Sequence, residues 1–160
     1  MYGVSIRVDA SDIDALITRL MVLDPLDTEQ LMTDIAAIGE SQTRRRIEEE
    51  KAAPDGTPWP PNAEGTSILL QSGRNLRDSV ASSATAATAE WGASWEFAHV
   101  HQDGAVIKAK SAAGLRFQVG GKWVRTDTVT IPPRPFVGIS AENGADIEAH
   151  TTDFLRELLQ

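Results

Sequence analysis

Val4, Ile6 and Val8 alternate with Ser5 and Arg7, and this period of two predicts a short, half-buried edge strand at the start of the chain. The period then changes. Ile13, Leu16, Ile17 and Leu20 recur at the spacing of one helical face behind Ser11 or Asp12 as cap, and Asp24-Pro25 ends that helix. Asp27, with Gln30 three residues on, has the form of a capping box. Leu31, Ile35 and Ile38 then predict the buried stripe of a second helix running to about Lys51. Its far half, Arg44-Arg45-Arg46 through Glu48-Glu49-Glu50, is almost wholly charged, and it is expected to project into solvent or against another subunit.

From Ala52 to Ser67 prolines and glycines preclude regular structure, and Trp59 between Pro58 and Pro60 predicts a loop anchored by an aromatic. Ser79 to Gly92, rich in Ala, Ser and Thr, reads as a weak hairpin. The clearest hairpin is later: Leu115, Phe117 and Val119 alternate, Gly120-Gly121 supplies a tight turn, and Trp123, Val129 and Ile131 continue the sheet. Pro132, Pro133 and Pro135 stop it. Ser140 is placed to cap a C-terminal helix with an apolar face of Ile147, Phe154, Leu155 and Leu158. This order predicts an α+β fold, with an N-terminal helical hairpin and a C-terminal helix packed on a curved antiparallel sheet.

A chain of 160 residues with 41% apolar content suits one domain spanning 1–160 with one core. Its apolar runs fall far short of the ~20 residues that cross a bilayer, so no membrane association is expected, and no secretion signal is seen at the N-terminus. Zero cysteines exclude disulfides, thiolate nucleophiles and cysteine-ligated zinc. A net charge of −8 argues against the broad basic footprint of a nucleic-acid binder.

His99-Val100-His101-Gln102-Asp103 superficially matches the H-x-H-x-D ligand run of metal-dependent hydrolases, which makes His99, His101 and Asp103 the remote enzymatic alternative. Against it, the one other histidine is His150, and Gly104 stands where a third clustered histidine would be. The competing reading is a short helix or turn that packs Trp95, Phe97 and Val100 inward with the histidines at its polar edge. There is no G-x-S-x-G elbow and no Gly-rich phosphate loop, so no enzyme and no cofactor is expected.

Five segments taken in order carry a family resemblance: Ser41 to Ile47, the Pro54 to Pro60 loop, Leu70 to Val80 with its Leu-Arg-Asp-Ser, Phe97 to Gly104, and Ile131 to Gly138. Together they resemble the phage virion morphogenesis family, the tail completion proteins of Mu-like and related long-tailed phages, over roughly Leu31 to Leu159. Asp103 departs from the pattern, since the family commonly has an aromatic there. The resemblance implies a non-enzymatic structural protein that completes or terminates the tail and forms part of the head-tail junction, or neck. It also implies a homo-oligomer, typically a hexameric ring, contacting the tail tube protein and head connector or stopper proteins, with DNA passing through the lumen without specific binding. Such a protein would reside in the virion after assembly in the host cytoplasm. A head-side stopper or adaptor is the alternative. Partner contacts are expected at Arg44, Arg45, Arg46, Trp59, Arg134 and Phe136, with Trp59 and Phe136 equally suited to anchor the core.

Overall fold

The computed structural model describes residues 27–70 and 74–159, together with Ile17, Leu20 and Met21. The expected edge strand at Val4 to Val8 lies outside the described residues. So does most of the first helix of the expected N-terminal hairpin.

Helix α1 runs Glu29–Arg45 and widens into one π-helical turn, Arg46–Glu50, before Lys51 at φ 54° ends it in the left-handed region. The expected capping box does not form. Asp27 instead accepts from the backbone N–H of Glu29 at 3.0 Å, while Gln30 turns forward to Asp34 at 2.8 Å. After a long loop come α2 (Arg74–Asp78), β1 (Val80–Ala84), β2 (Ala89–Ala93) and α3 (Ala98–Asp103). These are followed by β3 (Ala105–Lys108), β4 (Leu115–Val119), β5 (Lys122–Thr126), β6 (Thr128–Ile131) and α4 (Ala141–Leu158).

The fold is α+β, and its strands are antiparallel as expected. Among the described residues they form three two-stranded pieces, β1–β2, β3–β6 and β4–β5, in place of one curved sheet. The first piece lies on α1, where Gly39 makes the approach possible: a Cβ there would come within 2.3 Å of the Trp91 ring. Ala36 and Thr43 are buried with Gly39. The buried face of α1 is therefore built largely from small residues. Leu31 is buried as the apolar spacing predicts, whereas Ile35 and Ile38 are only half-buried. On another face of α1, Gln42 donates to Asp146 at 3.1 Å and Asp34 meets His150 at 3.2 Å, which ties on α4. Ser140 and Asn143 form a reciprocal capping box at the start of α4.

The core gathers Ile47, Trp59, Leu76, Val80, Ala98 and Phe136. The remaining strands make one long ribbon. Ala105 pairs with Ile131 through Lys108 with Thr128, a detour at 109–114 interrupts one side, and Leu115 pairs with Thr126 through Val119 with Lys122. Gly120 and Gly121 turn its apex at φ 56° and 77°, the doubly positive pair that matches strand twist.

Candidate functional site

The segments that carry the family resemblance meet in the core, where Ile47, Trp59, Leu76, Val80, Ala98 and Phe136 pack together, and two of them also meet at the buried guanidinium of Arg46. Arg44-Arg45-Arg46 with Glu48-Glu49-Glu50 suggest a solvated helix end projecting from the body; Glu48, Glu49 and Glu50 are exposed as that expects, but Arg46 is not. The π-helical turn brings both Arg46 and Ile47 inward, each with 0% exposure. Arg46 donates to the carbonyl oxygens of Phe136 at 2.9 Å and Gly138 at 3.2 Å, and to Asn143 Oδ1 at 2.6 Å. Glu50 stands 3.6 Å from its Nε. Burial pulls the Arg46 pKa below its ordinary value, with Glu50 opposing, yet a guanidinium remains charged at any physiological pH.

The Pro54 to Pro60 loop closes onto the same region. Asp55 accepts from Thr57 N–H at 2.9 Å, which lowers the Asp55 pKa, and Gly56 turns the chain at φ 84°. Trp59, buried, donates its indole N–H to the carbonyl of Pro135 at 3.0 Å. Arg134 reaches the opposite way, to the carbonyls of Pro60 at 2.9 Å and Pro61 at 3.0 Å. Gln102 completes the lock: its Oε1 accepts from Phe136 N–H at 3.0 Å and Val137 N–H at 3.1 Å, and its Nε2 donates to Val137 O at 3.2 Å. The proline-rich segment cannot pair as a strand, so side chains from three other segments satisfy its backbone.

Of the six residues expected to contact partners, Arg46, Trp59, Arg134 and Phe136 are thus buried in this lock. Arg44 and Arg45 keep part of their surface. Arg44 donates to Val80 O at 2.6 Å and pairs with Glu40 at 2.9 Å; Arg45 pairs with Glu50 at 2.7 Å, which raises its pKa, and approaches Glu142 at 3.5 Å. Glu48 binds Arg77 at 2.8 Å. The Arg and Glu mixture of α1 is largely consumed inside the chain.

The histidines of the H-x-H-x-D run part company. His99 and Asp103 are exposed, while His101 is half-buried and stacks on Trp95 with ring centroids 5.7 Å apart. Burial, and secondarily the charge of Arg134, lowers the His101 pKa. Among the described residues no three His, Asp or Glu side chains are grouped to hold one ion. The expectation that Phe97 packs inward is also corrected: it is exposed and meets Trp95 in a T-shaped pair with ring centroids 5.4 Å apart, while His101 stacks on that same indole. Gln102 and the small residues of α1 were not singled out by sequence reasoning. Gln102 carried only its place in the Phe97 to Gly104 segment as a signal.

A model of the phage virion morphogenesis family matches residues 8–156, and the chain belongs to that family. Its role therefore lies in phage structure and assembly. No curated protein and no solved structure matches it significantly. Among the described residues no helix is long and apolar enough to cross a membrane.

Proposed function

We propose that the protein acts as a single domain, without enzymatic activity, to complete or terminate the tail and to form part of the neck between tail tube and head connector. A homo-oligomeric, hexameric ring through which DNA passes without specific binding is the form this takes. Family membership sets the context. The observation that carries the reading is the β3 to β6 ribbon, a two-stranded element with Trp123 exposed at 73% and Val106 at 60%. Two-stranded ribbons are marginal alone and large exposed apolar groups mark contact surfaces, so the ribbon suits a protein that finishes folding against neighbours. Arg44 and Arg45 at the surface of α1 are further partner contacts in this reading.

The test is assembly in extracts. Heads and tails made without this protein should join into infectious particles when the purified chain is added. Heads that become DNA-tight while tails stay abnormal would move the protein to the head-side stopper or adaptor position, and no gain in titre would refute both.

A further inference from the structure

Charge is distributed unevenly over this chain. Residues 105–131, which make the ribbon, hold five Lys or Arg against a single Asp, a net of +4, leaving −12 for the rest of a chain whose total is −8. Ion pairing follows the same division. Arg44, Arg45, Arg46, Arg77 and Arg156 each pair with a carboxylate in the body. Among the described residues no Lys or Arg of the ribbon does so, and Glu64, which meets the ribbon's tip, accepts instead from the backbone N–H of Gly120 at 3.0 Å.

Strand register gathers part of this charge on one face. Arg116 lies directly opposite Arg125, and Gln118 opposite Trp123, so these four side chains share one side of β4 and β5, and all four are exposed. Leu115, Phe117 and Val119 take the other side and are half-buried. Arg125 is held in place by the 109–114 detour: its Nε donates to Ala113 O at 2.9 Å and its Nη2 to Ala112 O at 2.5 Å. Among the described residues the side chains of Arg116 and Trp123 have no hydrogen-bond or ion-pair partner, and Trp123 is the most exposed large apolar residue. Like charges directly opposed across a strand pair cost stability in the free chain, and an anion lying over both removes that cost.

We propose that the face formed by Arg116, Gln118, Trp123 and Arg125 binds single-stranded nucleic acid without regard to sequence. The two guanidinium groups take phosphate oxygens, the indole stacks on an unpaired base, and the Gln118 amide offers a donor and an acceptor beside it. The indole is what selects a single strand. A duplex carries the same phosphates but encloses its base faces, and a lipid surface calls for a free apolar face, whereas the apolar side of β4 is half-buried. An acidic peptide satisfies the arginines and leaves the indole without a stacking partner. The acidic body does not cancel the attraction, because screening limits its reach to about 8 Å at physiological ionic strength while the arginines touch their phosphates directly. The site goes beyond the tail-completion reading and leaves Val106, Ile107 and Val124 of the ribbon for neighbouring proteins.

The experiment is a titration of the full chain with a short labelled oligothymidylate at several salt concentrations. For two phosphates the slope of log K against log salt should be about −1.4, and Arg116→Gln should bring it to about −0.7. This variant removes the opposed charge, so it should fold at least as well as the parent. Trp123→Ala should weaken binding about fivefold or more. Tryptophan emission should be quenched on binding in the parent and not in Trp123→Phe, which still binds. Arg156→Gln on α4 is the control and should change nothing. No binding at about 50 mM salt, a slope unchanged in Arg116→Gln, or equal affinity for a duplex of the same length would overturn the proposal. Equal competition by polyglutamate or by phosphatidylglycerol vesicles would do the same, assigning the face to an acidic protein or a lipid surface. A chain that fails these tests yet restores titre in extracts loses only this site, and one that binds the oligonucleotide but restores no titre loses only the tail-completion role.

Discussion

The guanidinium of Arg46 donates to the carbonyl oxygen of Phe136 at 2.9 Å, joining residues 90 positions apart in a site closed to solvent. An arginine fits where a hydrophobic residue would not, because Pro132, Pro133 and Pro135 leave the backbone around Phe136 without strand partners, and a fork of donors can satisfy several carbonyls at once.

Replacing Arg46 is therefore predicted to damage the fold from the inside. Arg46→Met leaves the Phe136 and Gly138 carbonyls and Asn143 Oδ1 buried without their donor, at a cost of about 3 kcal/mol or more. Arg46→Lys should recover little, since a single ammonium cannot span three acceptors in these directions. Urea unfolding checks this; a loss under about 1 kcal/mol in Arg46→Met would contradict it.

Trp59→Phe keeps a ring in the core and removes the N–H that reaches Pro135 O. The expected loss is about 1 kcal/mol, plus up to about 1 more for the smaller ring. Trp59→Leu should cost clearly more; equal midpoints for the two variants would show that ring shape contributes nothing, and a Trp59→Phe midpoint equal to the parent's would show the same of the hydrogen bond.

Gly39→Ala is predicted to destabilise by about 1–3 kcal/mol, because its Cβ must displace the Trp91 ring. Gly92→Ala on the hairpin makes a control, with nothing within 4 Å of the added carbon. Tryptophan fluorescence should shift in the first variant and stay unchanged in the second.

His101 sets a pH dependence. Its folded pKa lies below the ordinary value, so the folded chain resists a proton that the unfolded chain accepts. Stability from this group is fully present above about pH 6.5 and is lost as the pH falls through that value toward the depressed folded one. Thermal melts from about pH 7.5 down to about 5.5 should show a falling Tm in the parent, and a flatter profile in His101→Phe. Parallel profiles would mean that His101 titrates freely despite its stack on Trp95.

Where pattern sufficed, the sequence was readable. The Leu115 to Ile131 alternation, the Gly120-Gly121 turn and the Ser140 cap all stand as expected, because each depends on neighbours in the chain. Features that depend on distant partners were not legible. Nothing local to Arg44-Arg45-Arg46 says that a π-helical turn will rotate only the third inward, and a spacing rule that counts large apolar residues passes over Ala36, Gly39 and Thr43, which are buried against a hairpin fifty residues away. The same cause relocates the candidate site. Arg46, Trp59, Arg134 and Phe136 were recognisable as important from their motifs, but whether a motif residue faces a partner or its own backbone is decided by tertiary packing.

The central claim, completion of the tail at the head-tail junction, is tested most directly by electron microscopy of particles made by the parent phage with this gene deleted. The account predicts filled heads beside detached or overlong tails, reversed when the gene is supplied in trans. Empty, leaking heads beside normal tails, or virions of normal form and infectivity, would contradict it.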